Sequence, residues 1–340
     1  MNGLTTDIDI KETVGDTKMT DLMRISEPND VTESRFPPLI SIAEMFLVSL
    51  DCAESSIDTY TRQLKAFLEW INYSGKSLDL STWGRQDILE YKQYLKGSEC
   101  NGRNLSGNTI AGYVTVVRKF WTWLDLEGFC PNIAKGIKIK RDQGFKKHTL
   151  TIGQIRDALN TFDLSTLEGL RNYAIFNLMV RTGCRDIEIV RAKVKNLRTL
   201  DGHTVLDIQA KGQDSANQFK VLTVASERPI REYLNARKKM SPFKDDDCLF
   251  ASVSRRNSGN GLTTRSISGI IKNALREIGL NDAKLTAHSL RHTAITLAVA
   301  GGASLHQAQA MAGHKDPRTT QVYFHNKKRL EEAAEKCIDF

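Results

Sequence analysis

The sequence has no apolar run near the roughly 18 residues that a membrane-spanning helix requires. Its first seven residues lack the basic-then-apolar pattern of a signal peptide. The six cysteines are scattered with no C-x-x-C pair, which argues against a zinc ribbon or a disulfide framework and favours reduced thiols. These absences predict a cytoplasmic protein with no membrane partner.

Charge is distributed unevenly along the 340 residues, whose net charge is +8. Residues 1–37 hold eight acids and four bases and show no periodicity, which predicts a flexible acidic tail. The rest of the chain is therefore strongly basic and favours an anionic partner such as DNA. Basic charge alone does not identify that partner, because many basic proteins never bind nucleic acid.

Helical periodicity begins after the tail. Apolar residues recur at helical spacing in four segments of residues 38–134. Ser41 and Glu44 predict a capping box at the first of these helices, and the third is predicted to open near Thr82. Four amphipathic helices of this size predict a small all-α domain.

A basic linker is predicted at residues 135–148. Its first thirteen residues, KGIKIKRDQGFKK, contain six bases and one acid. Such a segment is either a solvated tether or a strap that follows the DNA phosphates. The second interpretation selects Lys138, Lys140 and Arg141 as DNA contacts.

Residues 149–340 predict a second domain of mixed composition. Capping boxes are expected where Thr151 precedes Gln154 and where Ser304 precedes Gln307. Two β-type runs, separated by a polar turn, predict strands at residues 204–210 and 219–224. The chain as a whole is therefore predicted to be mainly α with a small antiparallel β-sheet, an α+β fold in two domains.

The end of the chain predicts one more helix. Leu330, Ala334 and Ile338 fall on one face at helical spacing. A helix this short needs a surface that buries its apolar stripe. That surface is either its own domain or a neighbouring protomer.

Three kinds of group are needed to cut a DNA phosphodiester without a metal ion. A nucleophile attacks phosphorus in line, cationic donors hold the non-bridging oxygens, and an acid protonates the leaving 5′-oxygen. Arginine suits the second role because its planar guanidinium grips phosphate bidentately. Tyrosine suits the first because the phosphoester that it forms with the DNA can be broken again when the strand is rejoined. Groups of these kinds occur in the order Arg185, Glu188, Lys211, His288, Arg291, His314 and Tyr323.

The motifs around these residues resemble those of a known family. T-G-x-R-x-x-E at 182–188, H-x-L-R-H-T at 288–293 and G-H-x-x-x-x-T-T-x-x-Y at 313–323 are similar to the boxes of tyrosine recombinases, the phage integrase family that includes Xer recombinases. The resemblance covers about residues 40–340. The three motifs in this order are specific, whereas any one alone is weak.

The resemblance implies roles for five of the residues. Arg185 and Arg291 would grip the scissile phosphate. His288 and His314 would assist proton transfer and bind the same phosphate. Tyr323 would be the nucleophile that forms a 3′-phosphotyrosine.

Two further roles concern support and the leaving group. Glu188 matches a supporting acidic position. Lys211 resembles the general acid that protonates the leaving 5′-hydroxyl, with Lys220 as a second candidate because the turn after Lys211 is longer than the family's usual form. A lysine at the tip of a turn reaches into a cleft more easily than one inside a strand, which favours Lys211.

Each residue also has an ordinary structural interpretation. His288 and His292, at i and i+4, are spaced like zinc ligands, but Ser289 stands where H-E-x-x-H has its glutamate. Tyr323 alone would fit a core aromatic, and Lys211 a solvated turn. Together, however, these interpretations require several independent coincidences.

The resemblance further implies an assembly. It is a two-domain DNA clamp, in which a helical core-binding domain and a mixed catalytic domain grip a double-stranded recombination site. Two protomers would occupy each site and four the synapse, with accessory DNA-bending proteins as further partners. No metal or nucleotide cofactor is implied. The alternatives are a type IB topoisomerase and a non-catalytic DNA-binding regulator.

Overall fold

A computed structural model describes residues 38–97, 105–139, 148–210, 215–240, 242–282, 284–331 and 333–338. The contacts divide the chain into two compact units, Met1–Gly144 and Phe145–Phe340. The predicted acidic tail and most of the basic linker lie outside the described residues. No helix within the described ranges is long and apolar enough to cross a membrane.

Among the described residues, the first unit contains four α-helices, namely α1 (Leu39–Val48), α2 (Glu54–Tyr73), α3 (Arg85–Tyr94) and α4 (Gly107–Leu126). They bury one aromatic-rich core, in which Phe67 packs edge-on against Tyr91 with ring centroids 4.8 Å apart. Trp121 is fully buried in the same core. The apolar helix faces that the periodicity predicted therefore face this core.

Two predicted helix starts in this unit are wrong. Helix α1 begins directly after Pro38, and no side chain caps it, so the expected Ser41–Glu44 capping box does not form. A proline just before the first turn already supplies a fixed φ, and residue 41 lies inside the helix. Around Thr82 the chain forms a short 3-10 turn capped by Asp79, and α3 starts three residues later at Arg85.

The second unit contains eight α-helices among the described residues. They are α5 (Ile152–Asn160), α6 (Leu167–Thr182), α7 (Asp186–Arg191), α8 (Val224–Met240), α9 (Thr264–Glu277), α10 (Ala287–Ala300), α11 (Leu305–Ala312) and α12 (Arg318–Glu331). Helix α6 is buried along most of its length, because apolar side chains surround it. It packs against α8 and α10 and forms the centre of the unit.

An antiparallel three-stranded sheet, in the order β1–β2–β3, completes this unit. Its strands are β1 (Leu197–Leu200), β2 (His203–Ile208) and β3 (Gln218–Val221). The register places Leu206 opposite Lys220. Asp201 and Gly202 join β1 to β2, both with positive φ (48° and 79°), as a tight two-residue hairpin requires. The mainly α fold with a small antiparallel sheet agrees with the prediction, although β1 was not predicted.

The last predicted helix is wrong in extent. Helix α12 ends at Glu331, and Ala334–Cys337 form a separate 3-10 turn. Ile338 is 63% exposed. The three spaced apolar residues therefore do not lie on one continuous helix.

Candidate active site

The first part of the site is the turn that ends α6. Gly183 adopts a left-handed conformation (φ 66°) and caps the helix, a role that glycine fills without steric strain. Two residues later Arg185 is the N-cap residue of α7, and the fully buried Glu188 lies in the first turn of that helix. Oε2 of Glu188 accepts from the Arg185 backbone N–H at 2.9 Å, and Oε1 accepts from Nη1 of Arg185 at 2.6 Å. One carboxylate thus fixes both the backbone and the guanidinium of Arg185.

Arg291, on α10, is a buried cation with only 1% of its surface exposed. Nη1 donates to the carbonyl oxygen of Gly183 at 2.6 Å, and Nη2 donates to that of Ala312. Burial lowers its pKa to about 10, and the nearby charge of Arg185 acts in the same direction. The side chain therefore stays protonated at neutral pH. A guanidinium has five N–H donors, and these two bonds use two of them.

One face of α10 carries several polar groups. His288, Arg291 and His292 occupy positions i, i+3 and i+4, which share a helical face. The rings of His288 and His292 meet edge to face, with centroids 4.6 Å apart. The helix thus presents two imidazoles and one guanidinium together.

Tyr323, on α12, is 3% exposed and packs in a small apolar cluster with Ile295 and Ala312. Its hydroxyl hydrogen-bonds to Nδ1 of His292. Burial raises the pKa of Tyr323 to about 12, and the positive charge of Arg291 counteracts this only in part. The hydroxyl is therefore protonated at neutral pH and lies in the field of a fixed cation.

His314 lies in the loop between α11 and α12. Gly313, with φ 60°, ends α11 and turns the chain. Nδ1 of His314 hydrogen-bonds to Oγ1 of Thr320 at 2.8 Å, and its carbonyl oxygen accepts from Nε2 of Gln309 at 3.0 Å. The imidazole is thereby oriented from the first turn of the helix that carries Tyr323.

The structure describes only one of the two candidate lysines. Lys211 lies outside the described residues. Lys220, in β3, is 4% exposed, and its ammonium donates to the carbonyl oxygen of Met311. Burial lowers the pKa of Lys220, which the nearby Cys184 and Glu188 oppose. The bond ties the sheet to the end of α11, next to the His314 loop.

These contacts form one connected set. Arg291 bonds to the turn before Arg185 and to the helix end before His314. It also acts electrostatically on Tyr323, whose hydroxyl is bonded to His292. The described residues predicted for the site therefore lie on neighbouring elements, although they are separated by more than 100 positions in the chain.

The residues predicted for the DNA strap are mostly not described. Lys140 and Arg141 lie outside the described residues. Lys138 is exposed, and its backbone carbonyl oxygen accepts from Nζ of Lys92 at 2.8 Å.

Sequence reasoning missed the contact of His292 with the tyrosine. The signal was present, because His292 directly follows Arg291 and shares a face with His288, but it was interpreted only as possible zinc spacing. The partner on α12 lies 31 residues away, and no local pattern specifies that pairing.

The arrangement suits chemistry at a phosphodiester. Two guanidinium groups fixed before the substrate arrives are the kind of preorganised donors that stabilise developing negative charge. A tyrosine hydroxyl bonded to an imidazole is a nucleophile next to a base.

Comparison with known proteins identifies the family. The model of the phage integrase family matches residues 149–329, and that of the phage integrase N-terminal SAM-like domain matches residues 45–128. Tyrosine recombinase XerD of Listeria monocytogenes is 28% identical over 284 residues, covering 82% of this chain and 90% of the relative. Tyrosine recombinase XerC of Yersinia pestis is 24% identical, covering 79% and 84%.

Solved structures share the fold. The XerH site-specific recombinase bound to palindromic difH substrate, in a post-cleavage complex, has a TM-score of 0.69 at 23% identity and covers 93% of this chain and 92% of its own. A lambda integrase dimer bound to a COC′ core site has a TM-score of 0.63 at 17% identity, covering 84% and 93%. Because the family model alone spans more than half of the sequence, this chain belongs to the phage integrase family, the tyrosine recombinases.

Proposed function

We propose that this chain is a site-specific DNA recombinase that cuts and rejoins DNA through a 3′-phosphotyrosine at Tyr323 and exchanges strands through a Holliday junction. The observation that carries the proposal is the connection of Arg291 to Arg185's turn, to the His314 loop and to Tyr323. It supplies two fixed cations and a nucleophile in one place.

The proposed steps follow from these positions. Arg185 and Arg291 bind the non-bridging oxygens of the scissile phosphate, and Glu188 holds Arg185 in place. The hydroxyl oxygen of Tyr323 attacks phosphorus and loses its proton, the bond from phosphorus to the 5′-oxygen breaks, and an acid protonates that oxygen. His288 and His314 bind the phosphate and assist these proton transfers. Rejoining reverses each step.

We assign the acid role to Lys211. Lys220 is the alternative, but its ammonium is buried and already donates to the Met311 carbonyl. This hydrogen bond is a contact within the protein and maintains the structure of the site. Lys220 is therefore assigned to holding β3 against α11.

The proposed substrate is a double-stranded recombination site in the cytoplasm. Residues 38–134 and 149–340 are proposed to grip the duplex as a clamp, with residues 135–148 as a basic strap. A dimer on each site and a tetramer in the synapse would place two cutting tyrosines on each duplex, and DNA-bending proteins would assist where a site must be folded.

Covalent capture tests the proposal. The protein is incubated with sheared genomic DNA of its source organism and denatured with detergent, and DNA that stays attached to protein is sequenced. We expect one site with inverted half-sites, and no capture with Tyr323→Phe. Tyr73→Phe, at a tyrosine 72% exposed in the first unit, is the matched control and should capture normally.

Three results would contradict the proposal. Capture that persists in Tyr323→Phe would move the nucleophile elsewhere. Relaxation of supercoiled plasmids that lack the captured site would indicate a topoisomerase. Sequence-selective binding without any adduct would indicate a regulator.

A further inference from the structure

An imidazole contacts the hydroxyl of Tyr323. The bond joins Oη of Tyr323 to Nδ1 of His292, and the two ring centroids lie 6.0 Å apart. Tyr323 is almost fully buried, while His292 is partly exposed. The atom that is proposed to attack phosphorus therefore already has an imidazole nitrogen at hydrogen-bond distance.

This contact addresses a chemical need of the cleavage step. A phenol with a pKa of about 12 is a poor nucleophile at neutral pH, so its proton must leave as the bond to phosphorus forms. Arg291 stabilises the resulting negative charge but cannot accept a proton. A neutral imidazole can, because its ordinary pKa lies near 6.5.

We propose that His292 is the base for the nucleophile: its Nδ1 takes the proton of the Tyr323 hydroxyl during cleavage and returns it during rejoining. The inference rests on the proposed function. In cleavage the Tyr323 oxygen–phosphorus bond forms, the phosphorus–5′-oxygen bond breaks, the hydroxyl proton moves to His292, and the leaving oxygen takes a proton from the separate acid. In rejoining the 5′-hydroxyl oxygen attacks phosphorus and returns its proton to that acid, the bond from phosphorus to the Tyr323 oxygen breaks, and His292 protonates the departing tyrosine oxygen.

The surroundings of the pair distinguish His292 from the other two histidines of the site. His314 uses its Nδ1 on the hydroxyl of Thr320, at 2.8 Å. His288 lies one turn earlier on α10 and meets the ring of His292 edge to face, with the ring centroids 4.6 Å apart. A base must lie within hydrogen-bond distance of the atom whose proton it removes, and Nδ1 of His292 does so toward the Tyr323 hydroxyl.

Several charged or titratable groups face the pair and affect its pH dependence. On α10 these are His288 and Arg291; α12 contributes Tyr323 itself. The charges of Arg185 and Glu188 act on Arg291, and Arg291 in turn acts on Tyr323. A pH profile of the wild type alone is therefore not specific to His292, and the test compares variants on two substrates.

The experiment uses a nicked duplex of the captured site in two forms, one with the ordinary 5′-oxygen leaving group and one with sulfur in its place. A thiolate leaves without being protonated, so sulfur removes the need for the acid and retains the need for the base. We expect His292→Asn to slow adduct formation by at least about 10²-fold on both substrates. Asparagine retains a hydrogen-bonding group near Nδ1 but accepts no proton at neutral pH.

The pH profile gives a second signature. On the sulfur substrate the wild-type rate should depend only weakly on pH in the alkaline range, because the imidazole of His292 accepts the proton without hydroxide. The His292→Asn rate should continue to rise with pH, because hydroxide replaces the missing base. His325→Asn, at an exposed histidine on α12, is the control and should behave like wild type.

The outcomes are decisive. Wild-type rates in His292→Asn, or rescue by sulfur, would overturn the inference, since rescue would place His292 on the leaving-group side. If the variant is unstable, histidine NMR of the free protein replaces it: Tyr323→Phe should shift the His292 ring signals, and unchanged signals would overturn the inference. Loss of the adduct in Tyr323→Phe with normal cleavage by His292→Asn would leave the proposed function intact. An adduct that persists in Tyr323→Phe would overturn the proposed function itself.

Discussion

Nη1 of Arg291 donates a 2.6 Å hydrogen bond to the carbonyl oxygen of Gly183, which precedes it by 108 residues. The same guanidinium holds the carbonyl of Ala312. One side chain on α10 therefore joins the end of α6 to the end of α11. The residue proposed to bind phosphate is also a structural tie.

Both arginines should be needed for chemistry and for folding. Arg185→Ala and Arg291→Ala should each slow adduct formation by at least about 10²-fold, the usual scale for one lost preorganised donor. Both should also lower the free energy of unfolding. Arg291→Ala leaves the carbonyl groups of Gly183 and Ala312 without this donor, at a cost of about 1–3 kcal/mol, and Arg185→Ala leaves the buried Glu188 carboxylate without its cation. Urea unfolding and adduct assays measure the two effects. Wild-type stability of Arg291→Ala would show that its two bonds contribute nothing to folding.

A change of leaving group distinguishes the roles of Lys211 and Lys220. Lys211→Ala should slow cleavage of the ordinary nicked duplex by about 10²-fold or more and cleave the sulfur-containing duplex at the wild-type rate. Lys220→Ala should be slow on both, because it releases β3 from the Met311 carbonyl. The reverse pattern would make Lys220 the acid.

A pair of glycine substitutions tests the turn before Arg185. Gly183→Ala should lower the free energy of unfolding by about 1–2 kcal/mol, the cost of a left-handed conformation for an L-residue, and should reduce cleavage. Gly269→Ala is the control, because Gly269 lies inside α9 with open space around it. It should raise stability by about 0.5–1 kcal/mol. Equal effects of the two changes would argue against strain at Gly183.

The proposed strap should affect how DNA binding depends on salt concentration. Replacing Lys138, Lys140 and Arg141 with alanine should weaken binding to all DNA sequences about equally and lower the salt slope by up to about 0.9 per lost phosphate contact. The control removes three bases that are each paired with an aspartate, Lys193, Lys195 and Arg198. A slope that falls only in the control would assign the DNA contacts to β1 and its flank.

Local signals predicted much of the fold. The capping boxes at Thr151–Gln154 and Ser304–Gln307 are confirmed, because both partners lie within one helical turn. The Ser41–Glu44 pair has a similar residue pattern but lies inside α1, because the preceding proline sets the start of the helix. β1 was missed although Asp201-Gly202 is a typical hairpin turn, because Leu197–Leu200 is only half-buried and weakly alternating.

The candidate site was less accessible to sequence reasoning. Its motifs identify the residues one by one, through resemblance to a family. The bonds of Arg291 to Gly183, of Lys220 to Met311 and of His292 to Tyr323 join parts of the chain 31 to 108 residues apart. Such pairings follow from packing of α6, α10, α11 and α12, and no local spacing encodes them.

The position of Tyr323 on α12 has a consequence for synthesis. The ribosome completes both proposed phosphate-binding arginines and the whole sheet before it makes the nucleophile. A nascent chain or a product terminated before residue 318 therefore holds no cutting group, whatever DNA it contacts. Such a product also lacks the α12 side chains that pack against Ile295 and Ala312, so a nonsense mutation late in the gene removes the nucleophile and part of the core together.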